Sequence, residues 1–108
     1  MNSIKKLNTV EEYNSFLEKH PHAVVKISAV WCGPCRTLEQ VILNLDTEKL
    51  NDTVFGEIDA DSEAFESLLA DMNIRGIPVL IYYSNGTEVT RSVGMVQADD
   101  IYNKLTTL

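Results

Sequence analysis

The stretch Ala23-Val-Val-Lys-Ile-Ser-Ala-Val-Trp-Cys-Gly-Pro-Cys35 decides the fold. Residues 23–30 are rich in β-branched side chains, follow Pro21 and stop at a Gly-Pro turn, so they read as a central strand. Beyond Pro34, Leu38, Val41, Ile42 and Leu45 recur at i, i+3, i+4 and i+7, the stripe of an amphipathic helix. Pro34 suits the first turn of that helix, where its missing N–H would have had no partner. Both cysteines therefore fall where a strand ends and a helix begins.

Flanking segments extend the alternation. Residues 3–7 fit a short edge strand, and Thr9 with Glu12 three positions later fits a capping box for a helix carrying Val10, Tyr13 and Leu17. His20-Pro21 ends that helix. Residues 54–59 read as a second interior strand, and Phe65, Leu68, Leu69 and Met72 as a further helical stripe. Residues 79–84 and 88–93 form strands joined by Asn85-Gly86, a hairpin signal. Residues 99–108 close the chain as a helix with Ile101, Tyr102, Leu105 and Leu108 inward. The expected order is β-α-β-α-β-α-β-β-α, an α/β fold in one domain over residues 1–108, with a mixed central sheet flanked by helices on both faces.

Composition narrows the function. The 108 residues are 44% apolar and 23% charged, ordinary for a globular chain, and carry a net charge of −7. That excess of acid argues against nucleic acid and anionic membranes as partners, since both select basic surface. The longest apolar run, Val79 to Tyr83, is too short to span a bilayer. No secretory signal is visible, so a cytoplasmic location is expected.

Cys32 and Cys35 are the only cysteines. A bridge between them closes a very small loop and removes little chain entropy, so a structural staple is excluded as its purpose. Zinc is disfavoured because His20 and His22 lack zinc-ligand spacing, and no metal is expected. Reversible oxidation remains. The N–H groups and dipole at a helix N-terminus stabilise a thiolate. Cys32 is expected at the exposed tip as nucleophile, with Cys35 one turn in as the resolving thiol.

Trp31-Cys32-Gly33-Pro34-Cys35 with Arg36 after it, Arg75-Gly76-Ile77-Pro78 before a strand, and Asn85-Gly86 followed by Val93-Gly94 resemble the thioredoxin family along essentially the whole chain. The resemblance implies the thioredoxin fold and a protein-disulfide reductase. No cofactor is bound beyond the redox-active disulfide, and an NADPH-dependent thioredoxin reductase restores the dithiol. It implies that Pro78 is a cis-proline facing the cysteines. Trp31, Gly33, Pro34, Gly76, Ile77, Val93 and Gly94 correspond to the surface where disulfide-containing clients dock. A monomer is expected, because the same surface must stay open. The alternatives are a disulfide oxidase or isomerase, and a non-catalytic accessory binding module.

The chain departs from the family at one chemically important position. A buried Asp usually stands where this chain has Lys26, and a Lys where it has Glu57, so the pair is expected to be reversed in sign behind the thiols. Enclosure of Lys26 requires pairing, because an isolated buried charge is very costly; otherwise Lys26 snorkels outward. A nearby cation would favour thiolate and shift the couple toward a less reducing potential. The segment 62–74 also looks about two residues longer than in common bacterial members of the family, with an extended third helix as the expectation. The helix after Cys35 lacks a kinking proline.

Overall fold

Strand β2 (His22–Ser28) is buried at every position from Ala23 onward, which is possible only with neighbours on both edges and layers on both faces. The computed structural model describes all residues, Met1–Leu108, and supplies those layers. Its elements are β1 (Ile4–Lys6), α1 (Val10–Lys19), β2, α2 (Gly33–Leu43), β3 (Val54–Asp59), α3 (Glu66–Asp71), β4 (Val79–Ser84), β5 (Thr87–Val93) and α4 (Ala98–Leu105). The five strands run in the order β1-β3-β2-β4-β5. β1 and β2 pair with β3 in parallel, while β4 pairs antiparallel with both β2 and β5. This is the thioredoxin fold in the expected order.

Strand periodicity divides the core in two. Ala23, Val25 and Ile27 of β2 pack with Tyr13 and Phe16 of α1 and with Leu69 of α3. Val24 lies in the opposite core with Leu38 and Ile42 of α2 and Ile101 and Leu105 of α4. Fully burying each such aliphatic side chain stabilises the fold by about 1.5–3 kcal/mol. Gly56 in β3 lets Leu7 and Phe16 approach, since an added Cβ would lie 3.0 Å from Leu7 Cδ1 and 3.1 Å from the Phe16 ring. Asn85 and Gly86 take φ of 51° and 81°, the left-handed pair that a tight hairpin between β4 and β5 requires.

Several boundaries differ from expectation. β2 stops at Ser28, whose carbonyl accepts the Ala60 N–H at 2.8 Å, and Val30 has left the sheet with 81% of its surface exposed. Thr9 Oγ1 does accept the Glu12 N–H, but Glu12 Oε1 takes the N–H of Asn8 rather than that of Thr9. The third helix is not extended. A single 3-10 turn, Glu63–Phe65, precedes a helix of only six residues. Phe65, at φ −108° and ψ 2°, interrupts regular helical geometry between them. α4 begins one residue early, where Gln97 and Asp100 exchange capping hydrogen bonds, and ends at Leu105. A further 3-10 turn at Thr47–Lys49 carries the chain from α2 towards β3.

Candidate active site

Cys32 is the N-cap of α2, and its sulfur accepts the Cys35 N–H at 3.2 Å. The two residues form a disulfide with their Cα atoms 5.2 Å apart. The expectation that Cys32 stands exposed at the tip is corrected: it is 5% exposed, against 1% for Cys35. Its sulfur turns inward to bond Cys35, and both residues pack with Ala29 against Ile77. The asymmetry survives in a different form. Cys32 lines an outer groove of about 820 Å³ and Cys35 does not. Cys35 lines an inner polar cavity of about 360 Å³ and Cys32 does not.

The outer groove gathers most of the expected docking residues. Trp31, Gly33, Pro34, Gly76 and Ile77 line it together with Cys32. The Ile77–Pro78 peptide is cis. Pro78 is buried, and its carbonyl accepts the Gly94 N–H at 2.8 Å, which ties the Val93-Gly94 corner to the proline. Val93 is 69% exposed and Trp31 66%; Trp31 lines the groove with Cys32, whereas Val93 and Gly94 do not. Trp31 is held there by its Nε1–H, which donates to Asp61 Oδ2 at 2.7 Å. Arg36 Nη1 donates to the Val30 carbonyl at 2.7 Å and fixes the segment just before Trp31.

The inner cavity contains the charge pair. Lys26 and Glu57 are register partners on the parallel strands β2 and β3, so their side chains leave the same face. Lys26 is 2% exposed, and its Nζ donates to Glu57 Oε1 at 2.8 Å. The Ser28 hydroxyl donates to the same oxygen at 2.9 Å. Glu39 of α2 stands 4.0 Å from Lys26 Nζ. Burial pushes the Glu57 carboxyl up, but the Lys26 hydrogen bond and charge, the Ser28 bond and the Lys6 charge together hold it below its ordinary 4.5. Sequence reasoning missed Ser28, Glu39 and Asp61. The signal for Glu39 was present, since it lies four residues after Cys35 on the same helical face. Asp61 had no such signal, being thirty residues from Trp31. Among all residues, no cluster of Cys, His, Asp and Glu is arranged to hold a metal ion.

Residues 4–107 match the thioredoxin family model. A putative thioredoxin-5 of Dictyostelium discoideum is 37% identical over 77% of this chain and 78% of its own length. Thioredoxin-2 of Saccharomyces cerevisiae is 34% identical over 84% of this chain and 86% of its own. Among solved structures, a mutant thioredoxin from Halobacterium salinarum superposes with a TM-score of 0.86 at 23% identity, covering 97% of this chain and 89% of its own. That last likeness concerns the fold alone.

Proposed function

Since the chain belongs to the thioredoxin family and is a thiol–disulfide oxidoreductase that reduces protein disulfides, we propose a division of labour between its two cysteines and its two cavities. Cys32 thiolate attacks one sulfur of a client disulfide. The client S–S bond breaks, a Cys32–client bond forms, and the second client sulfur leaves as a thiolate that takes up a proton. Cys35 then loses its proton and attacks Cys32 Sγ. The Cys32–client bond breaks, the Cys32–Cys35 bond forms, and the first client sulfur leaves reduced. Two electrons pass from the protein dithiol to the client.

The observation that carries this assignment is the split lining, with Cys32 on the outer groove and Cys35 on the inner cavity. Cys35→Ser is expected to trap the client as a stable mixed disulfide, and Cys32→Ser to trap none. The reverse pattern overturns the assignment. Trp31, Gly33, Pro34, Gly76, Ile77, Val93 and Gly94 form the client surface, and Pro78 shapes its floor. The placement of Trp31, Gly33, Pro34, Gly76 and Ile77 in one groove with Cys32, and the Gly94 bond to the Pro78 carbonyl, support this.

Lys26 and Glu57 act on the inner thiol. A carboxylate held below its ordinary pKa is a weak base near neutrality, so Glu57 works as a fixed charge. The Cys35 proton leaves through the polar cavity to solvent. A lone lysine beside the thiols would favour an oxidase by stabilising thiolate, but Lys26 is flanked by Glu57 and Glu39. That compensation supports the reductase direction.

An NADPH-dependent thioredoxin reductase regenerates the dithiol in this reading. In an insulin-reduction assay, NADPH consumption should require this protein, insulin and the reductase together. Insulin reduction by the chemically reduced protein but no NADPH consumption would exclude that partner. The proposed compartment is the cytoplasm, whose reducing poise suits a dithiol donor; recovery of the native protein in an organelle fraction overturns it. The proposed state is a monomer, because apolar Val30, Trp31 and Val93 are exposed around the site that clients need. A dimer mass in sedimentation at micromolar concentration contradicts it.

A further inference from the structure

The groove beside Cys32 is acidic on its α3 side. On the α3 side the groove carries Asp61, Glu63 and Glu66 against a single cation, Arg75. The Val93-Gly94 corner, tied to Pro78 through the Gly94 N–H, lies outside the groove lining and carries no charge from Ser92 to Val96. Asp61 is oriented by Trp31 Nε1 at 2.7 Å, so its carboxylate is fixed beside the residue that borders Cys32. Glu63 and Glu66 are exposed and take part in none of the ion pairs of the structure, and neither does Arg75. The carboxylates of this wall are therefore not consumed by the fold. Between them the groove is apolar at Leu69, Ile74 and Ile77.

We propose that this wall makes the protein select client segments carrying a basic side chain close to the disulfide, on the side that faces α3. The inference rests on the disulfide-reductase reading and adds a substrate class to it. A client disulfide must reach Cys32 through the groove, which brings the neighbouring client residues against Asp61, Glu63 and Glu66. Lysine or arginine there meets unpaired carboxylates, and its aliphatic stem packs on the apolar floor. An acidic client meets three like charges and one arginine. Exposed pairs are individually weak, but several acting together with long-range steering alter encounter rates, increasingly so at low salt.

The test uses the full-length protein in its reduced form and two synthetic peptides with the same intramolecular disulfide, one flanked by lysines and one by glutamates. Single-turnover reduction at low ionic strength should be about tenfold faster for the basic peptide. The ratio should fall toward one as salt rises to about 0.5 M, where the Debye length is only a few ångströms. A Glu63→Lys, Glu66→Lys variant should lose or invert the preference. A Glu11→Lys, Glu18→Lys variant, with the same change in net charge on exposed α1, should keep it. A ratio near one in the parent protein, or an equal loss in both variants, overturns the proposal. Hydroxyethyl disulfide, small and uncharged, separates the two readings. Failure to reduce it as well sinks the reductase chemistry itself, whereas normal reduction with no peptide preference sinks only the charge selection.

Discussion

Two polar pairs lie on opposite faces of the sheet, and they invite opposite conclusions. On the α1–α3 face, the hydroxyls of Tyr13 and Tyr83 meet at 2.7 Å with the rings edge to face. On the α2–α4 face, Lys26 meets Glu57 at 2.8 Å. The tyrosine pair is neutral, and burial pushes both phenols up, Tyr83 far above the ordinary range. It adjoins none of the cavities, lies inside the larger apolar core and closes two hydroxyls against each other. The ion pair is far costlier to bury, yet it borders a polar cavity that also reaches Cys35. A neutral pair satisfies the fold. A charged pair that lines the same cavity as a redox cysteine is instead expected to act on that cysteine, and the variants below separate the two roles.

The largest expected effect breaks the charged pair from one side. Glu57→Leu leaves Lys26 buried without its carboxylate, a situation that costs about 3–5 kcal/mol. The low end applies, because the Glu57 side chain keeps 15% of its surface exposed and Glu39 remains nearby. A Lys26→Met, Glu57→Leu double variant should recover most of that loss, as apolar replacements of buried ion pairs often do. Denaturant unfolding checks both. A double variant no more stable than Glu57→Leu would show that the two side chains are not coupled.

How much of this was legible beforehand depends on how local each signal was. The redox turn was readable because strand end, proline and helix stripe all lie within residues 23–45. The cis Ile77–Pro78 bond came from family resemblance and from no local pattern in this chain. The partnership of Lys26 and Glu57 was likewise expected from family resemblance and is found at 2.8 Å, although its physical basis, the register of β2 against β3, is a long-range quantity that no local pattern encodes. The third helix was misread because the length of segment 62–74 and the apolar spacing at Phe65, Leu68, Leu69 and Met72 report how much chain is present and which face is buried, not where regular hydrogen bonding begins. Asp61 and Ser28 looked like ordinary loop and strand polar residues until the fold brought Trp31 and Glu57 to them.

Next in size is the neutral pair. Tyr83→Phe leaves the buried Tyr13 hydroxyl without its partner and should cost about 1–3 kcal/mol. Its equilibrium with glutathione should not move. Lys26→Met should instead leave two carboxylates near Cys35 and disfavour thiolate. The couple then becomes more reducing, by about 30 mV for a tenfold change in the equilibrium. A shift in potential for Tyr83→Phe equal to that of Lys26→Met would erase the distinction between the two faces.

The pairs also separate with pH. Glu57 has a folded pKa below its ordinary 4.5, so its contribution is complete above 4.5 and fades as pH falls through the lowered folded value. Glu57→Gln should flatten the acid limb of the stability curve in that window. Tyr83→Phe should lower the whole curve from pH 3 to 8 without changing its slope, because neither phenol titrates there. Glu88 is also lowered, by its hydrogen bond to Arg91, but it is exposed, and solvent screening leaves it little weight.

The smallest effect tests the charged site most finely. The Ser28 hydroxyl donates to Glu57 Oε1, the same oxygen that Lys26 uses. Ser28→Ala removes one of those two donors and keeps the ion pair, so about 1 kcal/mol of stability should be lost. The Glu57 carboxyl should rise toward its ordinary value, because a hydrogen bond favouring the ionised form has gone. A titration of Glu57 followed by NMR reads that shift directly. If the carboxyl rises while the glutathione equilibrium stays put, Ser28 serves only the ion pair. If both move together, the charge on Glu57 is felt at the sulfur, and the polar cavity behind Cys35 belongs to the redox centre.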